Sequence, residues 1–163
     1  MTEAAISTGS RAGSNRVSRT IKAPRAKVYQ AFLDPQAVAA RMAPDSMPIH
    51  VHSFDPRPGG RFRISLTYPQ PEEAQRGKTT GDADTYHGRF VKLVADEKIV
   101  ELIEFESTEP GFAGEMTMTV LLADVAGGTE VSLLYENVPT GIRPEDNEAG
   151  SRSSLQKLAA LVE

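Results

Sequence analysis

One stretch of the sequence decides the fold: Asp55-Pro56-Arg57-Pro58-Gly59-Gly60-Arg61-Phe62-Arg63-Ile64, a turn that leads directly into a strand. The two prolines fix φ and lack a backbone donor, which excludes the middle of a sheet. The two glycines permit the positive φ of a tight reversal. After the turn, apolar side chains recur at every second position, at Phe62, Ile64 and Leu66. This period predicts a strand with one buried and one exposed face.

The same alternation recurs along the chain and predicts a sheet of six to seven strands. The predicted strands cover residues 16–22, 47–54, 61–68, 85–94, 99–106, 115–123 and 129–138. Short turns such as Ala95-Asp96-Glu97-Lys98 and Gly127-Gly128 join the later strands, which therefore form an antiparallel meander. A polar loop at 69–84 is longer than a hairpin needs, and the sequence leaves its role open.

Three segments carry the signals of helices. Pro24 and Pro35 stand at the first turns of two short helices after the first strand, where proline is favoured. A long closing helix begins near Pro144, and Leu155 and Leu158 mark its apolar face. A curved antiparallel sheet must bury one face, so the closing helix is the available cover, with a cavity expected between them. The sequence thus predicts an α+β fold.

Composition limits the classes of function. The chain has a net charge of −4 and no dense Lys/Arg block, which argues against a nucleic-acid surface and an anionic membrane surface. It contains no cysteine, which excludes disulfides, thiolate catalysis and zinc–thiolate sites. No run approaches the roughly 20 apolar residues of a membrane helix. We therefore expect a cytoplasmic protein with no nucleic-acid and no membrane partner.

The 163 residues predict one domain preceded by a tail. Residues 1–15 are rich in Ser, Gly, Ala and Thr and lack the apolar segment of a signal peptide, which predicts a disordered N-terminal tail. Residues 16–163 are enough to bury a single core. The sequence leaves the oligomeric state open, a homodimer included.

Several short segments follow one another in a specific order. They are Arg19-Thr20-Ile21-Lys22-Ala23-Pro24 with Val28-Tyr29, Phe32-Leu33-Asp34-Pro35, the turn and strand at 55–64, Tyr86-His87-Gly88-Arg89-Phe90 with Glu97-Lys98-Ile99-Val100, Gly128-Thr129-Glu130-Val131 and the helix at 155–161. Their order and spacing resemble the START-like superfamily of helix-grip folds. More narrowly, they resemble the family named for the activator of the heat-shock-protein ATPase. The resemblance covers the chain after the tail and implies a curved antiparallel sheet wrapped around a long C-terminal helix.

The chain departs from this family in its tryptophans. The family usually has one after the second helix and another near the start of the last helix, whereas this chain has none. Met42 and Ser151 lie near those two positions. The departure implies a wider or differently filled cavity. The family name also suggests a chaperone as a partner. No residue of the sequence supports that partner, and the fold alone does not determine the function.

The helix-grip pattern and the lack of catalytic motifs together favour a non-catalytic binder. The sequence has no glycine-rich phosphate loop, nucleophile elbow or His-Glu-x-x-His motif. We expect a small hydrophobic or amphipathic molecule in the cavity beneath the last helix, with no cofactor and no metal. The residues expected to line that cavity are Phe62, Ile64, Tyr86, Met116, Met118, Leu133, Tyr135, Leu155 and Leu158.

Two other classes of function stay open. The first is an enzyme of the polyketide cyclase or hydrolase type, with His87 or an inward glutamate as its acid/base. Glu101 and Glu104 are three positions apart, an odd spacing, so one faces inward, and Glu104 is taken as the second candidate beside His87. The other class is a chaperone-associated or regulatory protein-interaction module, which predicts a collapsed cavity and a contiguous exposed apolar patch.

Two further groups of charged or titratable residues receive ordinary interpretations. His50 and His52 share a strand face, but a metal site needs a third ligand that the sequence does not place. Arg61 and Arg63 could hold a ligand carboxylate by a bidentate fork, but the sequence favours an exposed face on which they are solvated or paired with Glu101 or Glu104 of a neighbouring strand.

Overall fold

The computed structural model describes residues 13–42, 49–67 and 83–163. Within these ranges seven strands and three helices follow one another, with a short 3-10 turn at Pro110–Phe112 between the fifth and sixth strands. The strands are β1 (Gly13–Ile21), β2 (Ile49–Phe54), β3 (Arg61–Thr67), β4 (Ala83–Val94), β5 (Lys98–Phe105), β6 (Met116–Val125) and β7 (Gly128–Val138). The helices are α1 (Arg25–Phe32), α2 (Pro35–Met42) and α3 (Pro144–Val162).

All seven strands belong to one antiparallel sheet in the order β1-β7-β6-β5-β4-β3-β2. Strands β2 to β7 form the expected meander, and α1 and α2 carry the chain from β1 at one edge to β2 at the other. The predicted α+β helix-grip fold, with two short helices after the first strand and a long C-terminal helix, is therefore confirmed.

The boundaries of two strands differ from the predicted ones. β1 begins at Gly13 rather than at residue 16, because Gly13 and Asn15 pair with Val138 and Tyr135 of β7, although these first residues show no apolar alternation. β4 begins at Ala83 rather than at residue 85, because Ala83 and Asp84 pair with Thr67 and Leu66 at the end of β3. Residues 1–12, most of the predicted tail, lie outside the described residues, as do the start of the second predicted strand and most of the 69–84 loop.

The turn at 55–60 ties three strands together. The amide of Gly60 donates to the Arg57 carbonyl at 2.7 Å, and Gly59 has a φ of +81°. The amide of Gly59 donates to the Phe90 carbonyl of β4 at 2.7 Å, and the Phe90 amide donates back to Gly60 at 2.9 Å. A Cβ at Gly60 would lie 2.0 Å from the Asp55 carbonyl oxygen. The glycines are therefore required both for the reversal and for the close approach of the backbone.

The core lies between the inner face of the sheet and α3. The last two turns of α3 bury Leu155, Leu158, Ala159 and Val162, and the helix packs beside β1, α1 and α2. The first half of α3 carries Glu145 and Asp146, which suit a helix N-terminus. None of the helices in the described residues is long and apolar enough to cross a membrane.

Candidate functional site

A cavity of about 300 Å³ lies between the inner face of the sheet and the first half of α3. Its apolar wall consists of Phe32, Val38, Met42, Phe54, Phe62, Ile64, Leu66, Ile103, Phe105, Met116, Met118 and Ile142. Its polar wall consists of Arg41, Asp84, Tyr86, Glu101, Tyr135, Asp146, Asn147, Ser151 and Ser154. The volume is at the lower end of the range of roughly 300–1,000 Å³ that small-molecule sites occupy.

The cavity exists because the part of α3 that covers it has no large apolar side chain. Gly150, Ser151 and Ser154 are the residues that this stretch of the helix turns toward the sheet. One turn later, Leu155 and Leu158 fill the equivalent space and are almost completely buried. Since protein interiors are otherwise close-packed, the change from small to large residues along one helix sets where the cavity ends.

Six of the nine predicted lining residues lie in the cavity wall. They are Phe62, Ile64, Tyr86, Met116, Met118 and Tyr135. The prediction was wrong for Leu133, Leu155 and Leu158, which are buried in the packed core and are absent from the wall. The side chains of these three leucines are almost completely buried among their neighbours, so no open space is left beside them.

A cluster of aromatic rings forms one side of the wall. Phe62 contacts Phe90 edge-to-face, with ring centroids 5.3 Å apart, and Phe90 contacts Phe54 at 5.5 Å. Tyr86 contacts Phe62 at 6.5 Å and Phe105 at 6.2 Å. Edge-to-face pairs of this kind add specific stabilisation to the burial of the rings. They hold this side of the cavity in one arrangement.

Arg41 is a buried cation in the cavity wall. It is 6% exposed, and it follows Val38 by one helical turn on the buried face of α2. Its Nη1 lies 3.0 Å from Ser154 Oγ and 3.3 Å from Met42 Sδ, and its guanidinium lies 4.6 Å above the ring of Phe32. Its Nε is buried and has no hydrogen-bond partner in the described part of the chain. Burial lowers the pKa of Arg41, but an arginine keeps its charge in proteins.

Glu101 is the inward carboxylate of β5. It is 8% exposed, lines the cavity, and faces Phe90 of β4 and Met118 of β6 across the strands. Within the described residues its side chain makes no hydrogen bond and no ion pair within 4 Å. Burial raises the pKa of Glu101 to about 7, and the charge of Arg41 opposes that rise. A buried carboxyl without a partner is costly, which marks this residue as a site candidate.

Two tyrosines complete the polar part of the wall. The hydroxyls of Ser151 and Tyr135 lie 3.0 Å apart, and Ser151 Oγ also lies 2.8 Å from the Asn147 carbonyl oxygen. Burial raises the pKa of Tyr135, and Ser151 opposes the rise. Burial also raises the pKa of Tyr86. Both phenols are therefore neutral hydrogen-bonding groups near neutral pH.

His87 and Glu104 lie on the opposite, outer face of the sheet, so the prediction that either acts in the cavity was wrong. The His87 side chain is 44% exposed, with Nε2 3.3 Å from Glu104 Oε1 and Nδ1 3.0 Å from Glu106 Oε2. The cause is the alternation along β4, which turns Tyr86 inward and its neighbour outward.

The outer face also corrects the expected pairing of the arginines. Arg63 donates from Nε and Nη2 to the two carboxylate oxygens of Glu106 at 2.8 and 2.9 Å, rather than to Glu101 or Glu104. The Arg63 fork lowers the pKa of Glu106 to about 2, and the hydrogen bond from His87 adds to this effect. Arg61 lies beside Arg89 in the register of β3 and β4.

The histidine pair of β2 has no metal-binding partner in the described residues. The rings of His50 and His52 meet edge-to-face with centroids 4.3 Å apart, and His52 Nε2 lies 2.8 Å from Ser65 Oγ. Across residues 13–42, 49–67 and 83–163 no group of three or more His, Asp or Glu side chains could hold a metal ion.

The sequence and the fold match known proteins over almost the whole chain. Residues 22–163 match the family model of activator of Hsp90 ATPase homolog 1-like proteins. The crystal structure of protein CV1439 from Chromobacterium violaceum is 33% identical, has a TM-score of 0.79, and covers 92% of this chain and 96% of that one. No curated protein matches.

More distant relatives share the fold alone. Protein Ms6760 from Mycobacterium smegmatis is 18% identical with a TM-score of 0.69, over 92% of this chain and 90% of that one. The solution structure of the AHSA1-like protein from Aeromonas hydrophila is 19% identical with a TM-score of 0.67, over 92% of each chain. The family match spans well over half of the sequence, and the Chromobacterium protein extends the likeness to both sequence and fold. The chain therefore belongs to the family of activator of Hsp90 ATPase homolog 1-like proteins.

Proposed function

We propose that this chain binds a small hydrophobic or amphipathic molecule, without altering it, in the cavity between the sheet and α3. The observation that supports the proposal is the cavity itself. It has a volume of about 300 Å³, and twelve apolar side chains from the sheet, α1, α2 and the segment before α3 form its wall. Because interiors are close-packed, a space of this size beneath a helix is the ordinary form of a ligand site.

The wall combines fixed and adaptable parts. The rings of Phe62 and Tyr86 are held by their aromatic neighbours, whereas Met116 and Met118 on β6 are flexible and polarisable. A wall of this kind accepts an apolar body of irregular shape. The polar groups, which belong to α2, α3, β4, β5 and β7, would orient its polar end.

The first test is native mass spectrometry of freshly purified protein, followed by denaturation and identification of any released molecule. The second test uses Met118→Trp, which places a large ring in the cavity, and Thr119→Trp, which places the same ring on the outer face of the same strand. Binding of the neutral dye N-phenyl-1-naphthylamine should weaken at least about tenfold in the first variant and stay unchanged in the second. Equal binding by both variants would show that the dye does not enter the cavity.

A second candidate, acid/base catalysis of the cyclase or hydrolase type, is favoured by one observation. Glu101 is a cavity carboxyl with a pKa of about 7, close to the value that suits a general acid or base. Comparing the molecules retained by the natural chain and by Glu101→Gln separates the two functions. An enzyme would accumulate a different molecule, its substrate, in the variant, whereas a carrier would retain the same one.

The interaction-module alternative has less support. It predicts a collapsed cavity, whereas the described residues line a cavity of about 300 Å³. It also predicts a contiguous apolar patch. The exposed large apolar side chains of the described residues are Val91, Val125 and Leu161, which belong to three different elements. These features favour a small molecule over a chaperone or other protein as the partner.

A further inference from the structure

The polar side of the cavity contains a carboxyl group whose hydrogen-bonding capacity is unused. The side chain of Glu101 is more than nine-tenths buried, points into the cavity, and has no hydrogen bond or ion pair among the residues that the structure describes. Buried polar groups are nearly always satisfied, so an unpartnered carboxyl in an apolar cavity indicates a partner that arrives with the ligand.

We propose, on the basis of the function proposed above, that the ligand is an uncharged amphipathic molecule whose polar end donates a hydrogen bond to the Glu101 carboxylate. Glu101 is then the residue that decides which apolar molecules the cavity accepts. A hydroxyl group on an apolar body is the simplest ligand chemistry of this class.

A negatively charged ligand does not fit this wall. Such a ligand would have to compete with Glu101 for Arg41, whose charge already stabilises the ionised form of that carboxyl. The anion would also lie close to two carboxyl groups of the wall, Glu101 and Asp84. A second negative charge in a low-dielectric space is strongly unfavourable.

A positively charged ligand fits no better. Arg41 lies in the same wall, and its charge already stabilises the ionised form of Glu101. An ammonium group would therefore add a second cation next to a buried guanidinium. A neutral donor avoids both repulsions and still supplies the hydrogen bond that Glu101 lacks, because hydrogen bonds to a charged acceptor are the stronger kind.

The test uses four probes with one skeleton: 4-butylphenol, 4-butylanisole, 4-butylbenzoate and 4-butylbenzylammonium. Calorimetry should show that the phenol binds at least about tenfold more tightly than the other three, since only the phenol is a neutral donor. In Glu101→Gln the phenol and the anisole should differ by no more than about threefold. Glu104→Gln, on the outer face of the same strand, should keep the full preference.

A pH series on the natural chain tests the proposal without any variant. Binding of the phenol to the ionised carboxylate should tighten from about pH 6 to about pH 8, because the donor favours the charged form of Glu101. The other titratable or charged groups of the wall are Arg41 from α2, Asp84 and Tyr86 from β4, Tyr135 from β7 and Asp146 from α3. Asp84→Asn and Asp146→Asn, each of which should keep the pH dependence, exclude the remaining carboxyls.

Each outcome separates this inference from the proposed function. If all four probes bind the natural chain with similar affinity and Met118→Trp blocks them, the cavity binds ligands but Glu101 does not select them, and the inference fails. Tighter binding of the benzoate or the benzylammonium would overturn it as well. If no probe binds and the natural chain releases no retained molecule, both proposals fail.

Discussion

Two carboxylates five residues apart, on opposite faces of the sheet, have opposite electrostatic characters. Glu101 faces inward from β5, and burial raises its pKa to about 7. Glu106 follows the end of β5 on the outer face, and the Arg63 fork lowers its pKa to about 2. A glutamate on the inner face therefore gains and loses a proton near neutral pH, whereas a glutamate on the outer face stays ionised.

The difference comes from partners rather than from position along the chain. Glu106 accepts two hydrogen bonds from Arg63 and one from His87 in a partly solvated setting. Glu101 forms no ion pair with Arg41, and only the electrostatic attraction of the Arg41 charge offsets the loss of hydration of the carboxylate. Outer-face carboxylates therefore help to stabilise the sheet, whereas the inner one costs stability. A group that is kept at such a cost is the better candidate for function.

The largest expected effect is that of Glu101→Gln on the pH dependence of stability. The folded pKa of about 7 lies above the ordinary value of 4.5, so the folded chain retains a proton that the unfolded chain loses. Stability of the natural chain should fall as pH rises from about 4.5 to about 7, by an amount on the order of 3 kcal/mol. Urea unfolding should show the variant more stable by about 2–3 kcal/mol near pH 8 and equal near pH 4.

Glu104→Gln is the matched control, since it makes the same change three residues away on the outer face. It removes one exposed pair with His87, which contributes less than about 1 kcal/mol. If stability depended on pH in the same way in the inner and the outer variant, burial would not raise the pKa of Glu101 in solution.

The second prediction concerns Arg41, whose charge is the main compensation for Glu101. Arg41→Met should destabilise the chain by about 2 kcal/mol near pH 8, where Glu101 is ionised, and by less near pH 4. Adding Glu101→Gln should recover most of the loss near pH 8, because the two groups are coupled. The measurement is a double-mutant cycle from urea unfolding at both pH values.

Arg152 on α3 provides the control for Arg41. Its Nη2 lies 3.0 Å from Glu148 on the exposed side of the helix, and Arg152→Met should change stability by no more than about 0.5 kcal/mol. Equal losses for Arg41→Met at the two pH values would indicate lost packing against Phe32 rather than a lost charge.

The alternation of residues predicted the fold because most strands have one clearly apolar face. On β3 and β6 the inward residues Phe62, Ile64, Met116 and Met118 follow directly from the pattern. On β5 the pattern is ambiguous, since Ile99 and Ile103 alternate with Val100 and Leu102, and both faces are apolar. The odd spacing of the two glutamates could show that they face opposite ways, but not which of them is inside.

Two other features of the site needed the structure. Arg41 is an arginine on the buried face of a short helix, and its only sequence signal is its spacing of three from Val38. The leucines at 155 and 158 share the inward face of α3 with the cavity residues, so helical periodicity cannot separate core from cavity. The available signal was the small residues Ala149, Gly150, Ser151, Ser153 and Ser154, interrupted only by Arg152, where a helix over a packed sheet would carry large apolar ones.

The smallest expected effect is that of Glu106→Gln, which tests the other side of the comparison. The folded pKa of about 2 lies below the ordinary value of 4.5, so this carboxylate contributes stability above about pH 4.5 that is lost as pH falls toward 2. Because the Arg63 side chain is 46% exposed, solvent screening limits the contribution to about 1 kcal/mol. Urea unfolding at neutral pH should show this loss in Glu106→Gln, and added salt should shrink it.

The two glutamines should act in separate pH windows, with opposite signs. Relative to the natural chain, Glu106→Gln should lose stability progressively from about pH 2 to about pH 4.5, and Glu101→Gln should gain it from about pH 4.5 to about pH 7. Glu148→Gln, which breaks an exposed pair on α3, should show a change below about 0.5 kcal/mol. A Glu106→Gln profile that parallels the natural chain at every pH would mean that the Arg63 fork does not hold this carboxylate in solution. Of the two carboxyls compared, only Glu101 would then depart from ordinary behaviour.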